Sequence, residues 1–148
     1  MKFLGTGSAL PKKVVSNDDL AQVMDTSDEW IRSRTGIGMR HIAVEETRTS
    51  RAVEAGEKAL ADAKISGCEI DLIIAGTISP DYIFPSLACE VQAAIGAKSA
   101  TAFDLSAGCS GFLFALANSK VCSALLEILS AALNALPGRS RDRVTPKS

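Results

Sequence analysis

Two short apolar runs, Asp71 to Thr77 and Ala100 to Leu105, stand on either side of a stretch patterned as a helix, and this alternation most narrows what the chain can fold into. Each run is too short for a helix and is bounded by turn residues, as expected of a strand covered on both faces. Between them Pro85 suits the first turn of a helix over Ser86 to Ile95, which Gly96 closes. Strand and helix alternating at such intervals need crossover connections. The expected architecture is therefore α/β, built on a mainly parallel, helix-covered sheet with Ile73, Ile74, Ala102 and Phe103 on central strands.

The upstream residues extend the pattern. Lys2 to Leu10 is β-prone and ends at Pro11, and Ser16-Asn17-Asp18-Asp19 then supplies a cap and early acids for a helix carrying Leu20, Val23 and Met24. Ser27 caps a second helix through Trp30 and Ile31 that stops near Gly36, and Arg40 to Ala43 reads as extended. Thr49 or Ser50 opens a longer helix whose Val53, Gly56, Leu60 and Ala63, with Ala52 and Ala59 beside them, make one face for a sheet until Gly67. Composition changes near residue 121, where an Ala- and Leu-rich stretch runs into a tail holding Arg139, Arg141, Arg143 and Lys147. We divide the chain into residues 1–119 and a divergent helix continuation with basic tail over 120–148.

Charge and composition exclude several classes. Sixteen basic against seventeen acidic residues leave a net charge of -1, which argues against a nucleic-acid or polybasic membrane surface. The start of the chain is broken by Gly5 and Gly7, so no export signal is expected. The apolar region from Phe112 to Leu136 is interrupted by Asn118, Lys120 and Glu127, as in a buried or amphipathic helix. Cys68, Cys89, Cys109 and Cys122 are too widely spaced for a metal knuckle, and His41 is the only histidine, so no metal site is expected. In a reducing cytoplasm these are free thiols, and Cys68, Cys89 and Cys122 read as small buried apolar residues. His41, in an extended segment, reads as a packing or surface hydrogen-bonding residue.

Cys109 differs from the other three. It stands where an apolar strand gives way to a helix, flanked by Gly108 and Gly111, which permit a tight turn and close approach of a ligand. A thiol at a helix amino terminus meets free N–H groups and the positive end of the dipole, which favour thiolate and nucleophilic attack on a thioester. The same N–H groups suit an oxyanion. A glycine-flanked core cysteine is the competing reading.

Four segments then carry a resemblance to a known family. They are Gly5-Thr6-Gly7-Ser8-Ala9-Leu10-Pro11, the run from Thr26-Ser27-Asp28-Glu29-Trp30 to Thr35-Gly36-Ile37, Phe84-Pro85-Ser86, and Asp104 to Phe112 around Gly108-Cys109-Ser110-Gly111. In order and spacing, residues 1–119 resemble β-ketoacyl-acyl-carrier-protein synthase III, a thiolase-like condensing enzyme with a layered α/β/α/β/α fold, of which this chain matches the amino-terminal part. The resemblance implies an acyltransferase that joins an acyl group from coenzyme A to malonyl on acyl carrier protein, starting fatty-acid chains. It implies Cys109 as the acylated nucleophile, and Thr26, Trp30 and Arg34 as the entrance where coenzyme A binds, Trp30 stacking on adenine. Phe84 matches a residue that reaches the partner's acyl pocket in a homodimer, although alone it reads as core.

The resemblance further implies a cytoplasmic protein with no bound cofactor, coenzyme A thioester being the substrate. Family members are about twice this length, in two similar halves, and their catalytic His and Asn lie in the second half. His41 matches neither. The expectation is acyl transfer to Cys109 without the decarboxylative step. The alternatives are a non-catalytic fragment or gene remnant that binds acyl-coenzyme A or a synthase partner, and another thiolase-fold condensing enzyme such as a type III polyketide synthase. The Trp30 segment argues against the latter.

Overall fold

A computed structural model describes residues 2–119, which form two compact units, residues 2–10 with 46–119, and residues 11–45. The readings made above for 120–148, including Cys122 and the basic tail, lie outside the described residues. In the larger unit the strands β3 (Leu72–Gly76) and β4 (Thr101–Leu105) pair parallel, with Ile73 opposite Ala102 and Ile74 opposite Phe103. The helix between them, α4 (Leu87–Ala94), makes the crossover. Leu72 to Ala75 are all buried, so β3 is covered on both faces, while Thr101 and Phe103 of β4 are exposed.

Side-chain alternation along β3 sorts the core into two layers. Ile73 and Ala75 pack with Leu87, Ala88 and Val91 of α4 and with Ala52 and Leu60 of α3 (Arg48–Ala63). Leu72 and Ile74 face the other way, against Ala115 of α5 (Gly111–Ser119) and Leu105. The sheet is thus held between α3 with α4 on one side and α5 on the other.

Two boundaries differ from the sequence reading. Helix α3 begins earlier, because Thr47 is its cap: the Thr47 side chain accepts from Ser50 N–H at 3.0 Å while Ser50 Oγ takes the Thr47 N–H at 3.0 Å. It also stops earlier, at Lys64 in the left-handed region (φ 58°) rather than at Gly67. The first residues are not a strand. Residues 2–10 are irregular and lie along α3, with Thr6 N–H donating to Asp62 at 2.8 Å and Lys58 Nζ to Ser8 carbonyl at 3.0 Å. A Cβ on Gly5 would meet Ala63 N at 2.5 Å, and one on Gly7 would strike the Ala55 carbonyl. The segment therefore presses its backbone onto the small-residue face of α3.

The smaller unit pairs β1 (Lys13–Ser16) antiparallel with β2 (Met39–Ile42), and between them run α1 (Asn17–Ala21) and α2 (Asp28–Thr35). Ser16 and Asp19 form a reciprocal capping box at α1, which ends before Val23 and Met24; both of these are exposed. Ser27 caps α2 and Gly36, at φ 72°, ends it in the left-handed conformation that glycine adopts without strain. His41 Nδ1 donates to the Pro11 carbonyl at 2.6 Å.

Candidate functional site

The carboxyl ends of β3 and β4 lie side by side, and at this edge an open parallel sheet offers its ligand crevice. Thr77 N–H donates to the Leu105 carbonyl at 3.1 Å, keeping the strands joined to their last residues. Beyond β4 the chain makes a single 3-10 turn over Gly108–Ser110, closed by Ser110 N–H to Ala107 carbonyl at 3.1 Å, and enters α5. Cys109 is the middle residue of that turn and is exposed. Gly108 has φ 52°, a conformation strained for any residue with a Cβ. Gly111 packs against Gly76, where a Cβ on Gly76 would stand 3.3 Å from the Gly111 carbonyl carbon. Backbone meets backbone there, seating the cysteine turn on the end of the sheet.

The loop after β3 leaves from the same edge. Its apolar side chains are displayed: Ile83 is 98% and Phe84 88% exposed, so Phe84 is not a core residue of this chain. Two carboxylates hold the loop and the helix that follows it. Asp81 accepts from Thr49 N–H at 2.7 Å and from Arg48 Nη1 at 3.3 Å, capping the start of α3. Burial works to raise the Asp81 carboxyl, but the hydrogen bonds from Thr49 and Arg48 outweigh it and hold the group below its ordinary 3.8. Asp104 accepts from Leu87 and Ala88 N–H at 2.9 and 2.8 Å, tying β4 to the start of α4. The signal available for Asp104 was an acid inside an apolar strand, which must find donors when it folds. For Asp81 no local signal exists, because its partner lies far back along the chain.

In the smaller unit, α2 buries Ile31 and turns Trp30 and Arg34 outward. Trp30 is 54% exposed, and its backbone N–H donates to Ser27 Oγ at 3.1 Å. The i, i+4 spacing brings the Arg34 guanidinium carbon 4.9 Å from the indole centroid, within cation–π range. Thr26, half-buried, lies just before the cap. Trp30 and Arg34 thus come together, as Phe84 and Cys109 share the edge of the larger unit.

The other cysteines behave differently from one another. Cys89 is half-buried, with its thiol 3.8 Å from the Ala102 carbonyl. Cys68 corrects the sequence reading, for it is exposed. In the turn Gly67–Glu69 the buried place belongs to Gly67, whose Cβ would strike the Ile95 carbonyl, so Cys68 faces outward with Sγ 2.9 Å from Ser66 Oγ. Among the described residues, no group of His, Cys, Asp and Glu is placed to hold a metal, and no helix is long and apolar enough to cross a membrane.

A parallel strand pair with a glycine-flanked cysteine turn leading into a covering helix belongs to the thiolase-type condensing fold, and solved structures agree. 3-Oxoacyl-acyl-carrier-protein synthase III from Aquifex aeolicus superposes with a TM-score of 0.79 at 52% identity, covering 81% of this chain and 39% of its own. The priming β-ketosynthase of a polyketide biosynthetic pathway gives 0.76 at 39% identity, over 79% of this chain and 35% of that one. In sequence, β-ketoacyl-acyl-carrier-protein synthase III 1 of Bacillus anthracis is 57% identical over 115 residues, 77% of this chain and 37% of the relative. No family model matches. The chain spans about a third of the length of the curated relatives it matches. By sequence and fold the chain is similar to the amino-terminal part of the β-ketoacyl-acyl-carrier-protein synthases III.

Proposed function

We propose that this chain carries the acyl-accepting portion of a fatty-acid-initiating condensing enzyme and takes an acyl group from coenzyme A onto Cys109. The observation that carries the reading is the exposed Cys109 in its turn between β4 and α5, at the carboxyl edge of the parallel strands. The thiolate adds to the thioester carbonyl, the oxyanion meets the positive end of the α5 dipole, and collapse expels coenzyme A as its thiolate, which takes a proton from solvent, leaving an acyl-cysteine. Trp30, Arg34 and Thr26 receive the nucleotide end of coenzyme A, the indole offering a stacking face and the guanidinium a partner for phosphate or base. Phe84 completes the acyl pocket of a second subunit in a homodimer. Malonyl-acyl carrier protein is the second substrate of the whole enzyme, which works in the cytoplasm without a bound cofactor.

Condensation needs groups that polarise the malonyl thioester carbonyl, and the resemblance assigns these to a His and an Asn outside this sequence. The activity proposed for this chain alone is therefore the half-reaction. Incubation with acetyl-coenzyme A should release one coenzyme A thiol per chain in a single burst, and Cys109→Ser should abolish it. A burst that persists in Cys109→Ser would refute the assignment.

A further inference from the structure

The side chain of Asn17 is 1% exposed, the only fully buried polar side chain of its size among the described residues, and each of its polar atoms is engaged. Its Nδ2 donates to Asp28 Oδ1 at 2.7 Å and to the Ile37 carbonyl at 2.8 Å. Its Oδ1 accepts from Arg40 Nη2 at 2.6 Å, and its backbone N–H donates to the Gly38 carbonyl at 3.3 Å. Asp28 is the first residue of α2 and Ile37 follows the glycine that ends it, so one amide group grips both ends of the helix. Arg40 ties the same amide to β2 and also reaches the Ser16 carbonyl at 3.4 Å. Capping of α1 does not account for this, because Ser16 and Asp19 already satisfy that helix end.

We propose that Asn17 is a positioning residue for nucleotide recognition: by joining Asp28, Ile37 and Arg40 it fixes α2 so that Trp30 and Arg34 are held ready for a flat, phosphate-bearing ligand. The inference rests on the reading of Trp30 and Arg34 given above and adds the group that orders them. The helix has only Ile31 as a buried anchor, so packing alone leaves its rotation weakly determined. A fully satisfied buried polar network selects one arrangement where a small apolar contact does not. The Asp28 carboxyl is held below its ordinary value first by the hydrogen bond from Asn17 and then, against the opposing effect of burial, by Arg32, which gives the network its own observable.

Trp30 is the only tryptophan, so its fluorescence reports α2 directly. The test titrates the full chain with adenosine 3′,5′-bisphosphate and separately measures acylation of Cys109 by a short thioester that lacks the nucleotide. Asn17→Ala should need about tenfold more nucleotide for half-maximal quenching, with acylation by the short thioester unchanged and the Asp28 carboxyl titrating at higher pH. Asp28→Asn retains an oxygen for Asn17 to donate to and should bind more tightly than Asp28→Ala, a comparison that stands even if Asn17→Ala fails to fold. Equal nucleotide binding by the wild type, Asn17→Ala and Asp28→Ala would overturn the inference and leave the nucleotide site standing. Parallel loss of nucleotide binding and of short-thioester acylation would make Asn17 a residue of the fold alone. Absence of quenching in the wild type would sink the nucleotide reading itself, and this inference with it.

Discussion

At the scale of single residues, exposure no longer separates Cys109 from every other thiol, since Cys68 is exposed as well. What separates them is position. Cys109 precedes the first turn of α5, whereas Cys68 sits in an isolated turn beside the Ser66 hydroxyl. Iodoacetamide in limiting amount should therefore label Cys109 first, Cys68 next and Cys89 last, read by peptide mapping; labelling of Cys68 ahead of Cys109 would argue against activation by the helix end. Trp30 and Arg34 show how much one spacing reveals: four residues apart on a helix capped by Ser27 and closed by Gly36, they had to share a face. Trp30→Ala should weaken nucleotide binding about tenfold, and Trp30→Phe should recover part of it, as measured by calorimetry.

At the scale of elements, the boundaries that were legible were those written locally. Ser27, Ser86, Gly36 and Gly96 stand at helix ends as their chemistry suggests, and the apolar runs became β3 and β4 within a residue or two. The start of α3 was misplaced because its capping box uses Ser50, rather than the longer Glu or Gln, as the reciprocal partner. Residues 2–10 were misread because glycines and apolar side chains in a short run describe equally well a strand and a backbone pressed on a helix. Gly7→Ala should accordingly cost about 1–3 kcal/mol in thermal or denaturant unfolding, since the added methyl meets the α3 backbone rather than a movable side chain.

The two carboxylate caps belong to the same scale. Asp104→Ala should destabilise the larger unit by about 1–3 kcal/mol, because two N–H groups of α4 lose their acceptor. For Asp81 the folded carboxyl lies below the unfolded value, so its contribution is present above that value and is lost as pH falls through the folded one. Protection of the Thr49 amide from hydrogen exchange, corrected for intrinsic rate, should decline on acidification below about pH 4, and Asp81→Asn should remove that pH dependence. Unchanged protection across this range would mean that something other than the ionised Asp81 holds the loop.

At the scale of the whole molecule, the class of fold was legible because crossover spacing dictates parallel strands. The separation of residues 11–45 as a compact unit was not, because it arises from the β1–β2 pairing across residues with no strong strand signal. The proposed Cys109 chemistry was readable as a glycine-flanked thiol after a strand, but the packing of Gly76 on Gly111 that seats it required the third dimension. Supplying malonyl-acyl carrier protein after acylation should yield no ketoacyl product from this chain, while a longer protein containing the His and Asn segments should form it. Acyl transfer to Cys109 is checked by peptide mass spectrometry after incubation with acetyl-coenzyme A. One acetyl group per chain is expected, on the peptide containing Cys109 and absent from Cys109→Ser; an unmodified Cys109, or acetylation spread equally over Cys68 and Cys109, would rule out acyl transfer at this turn.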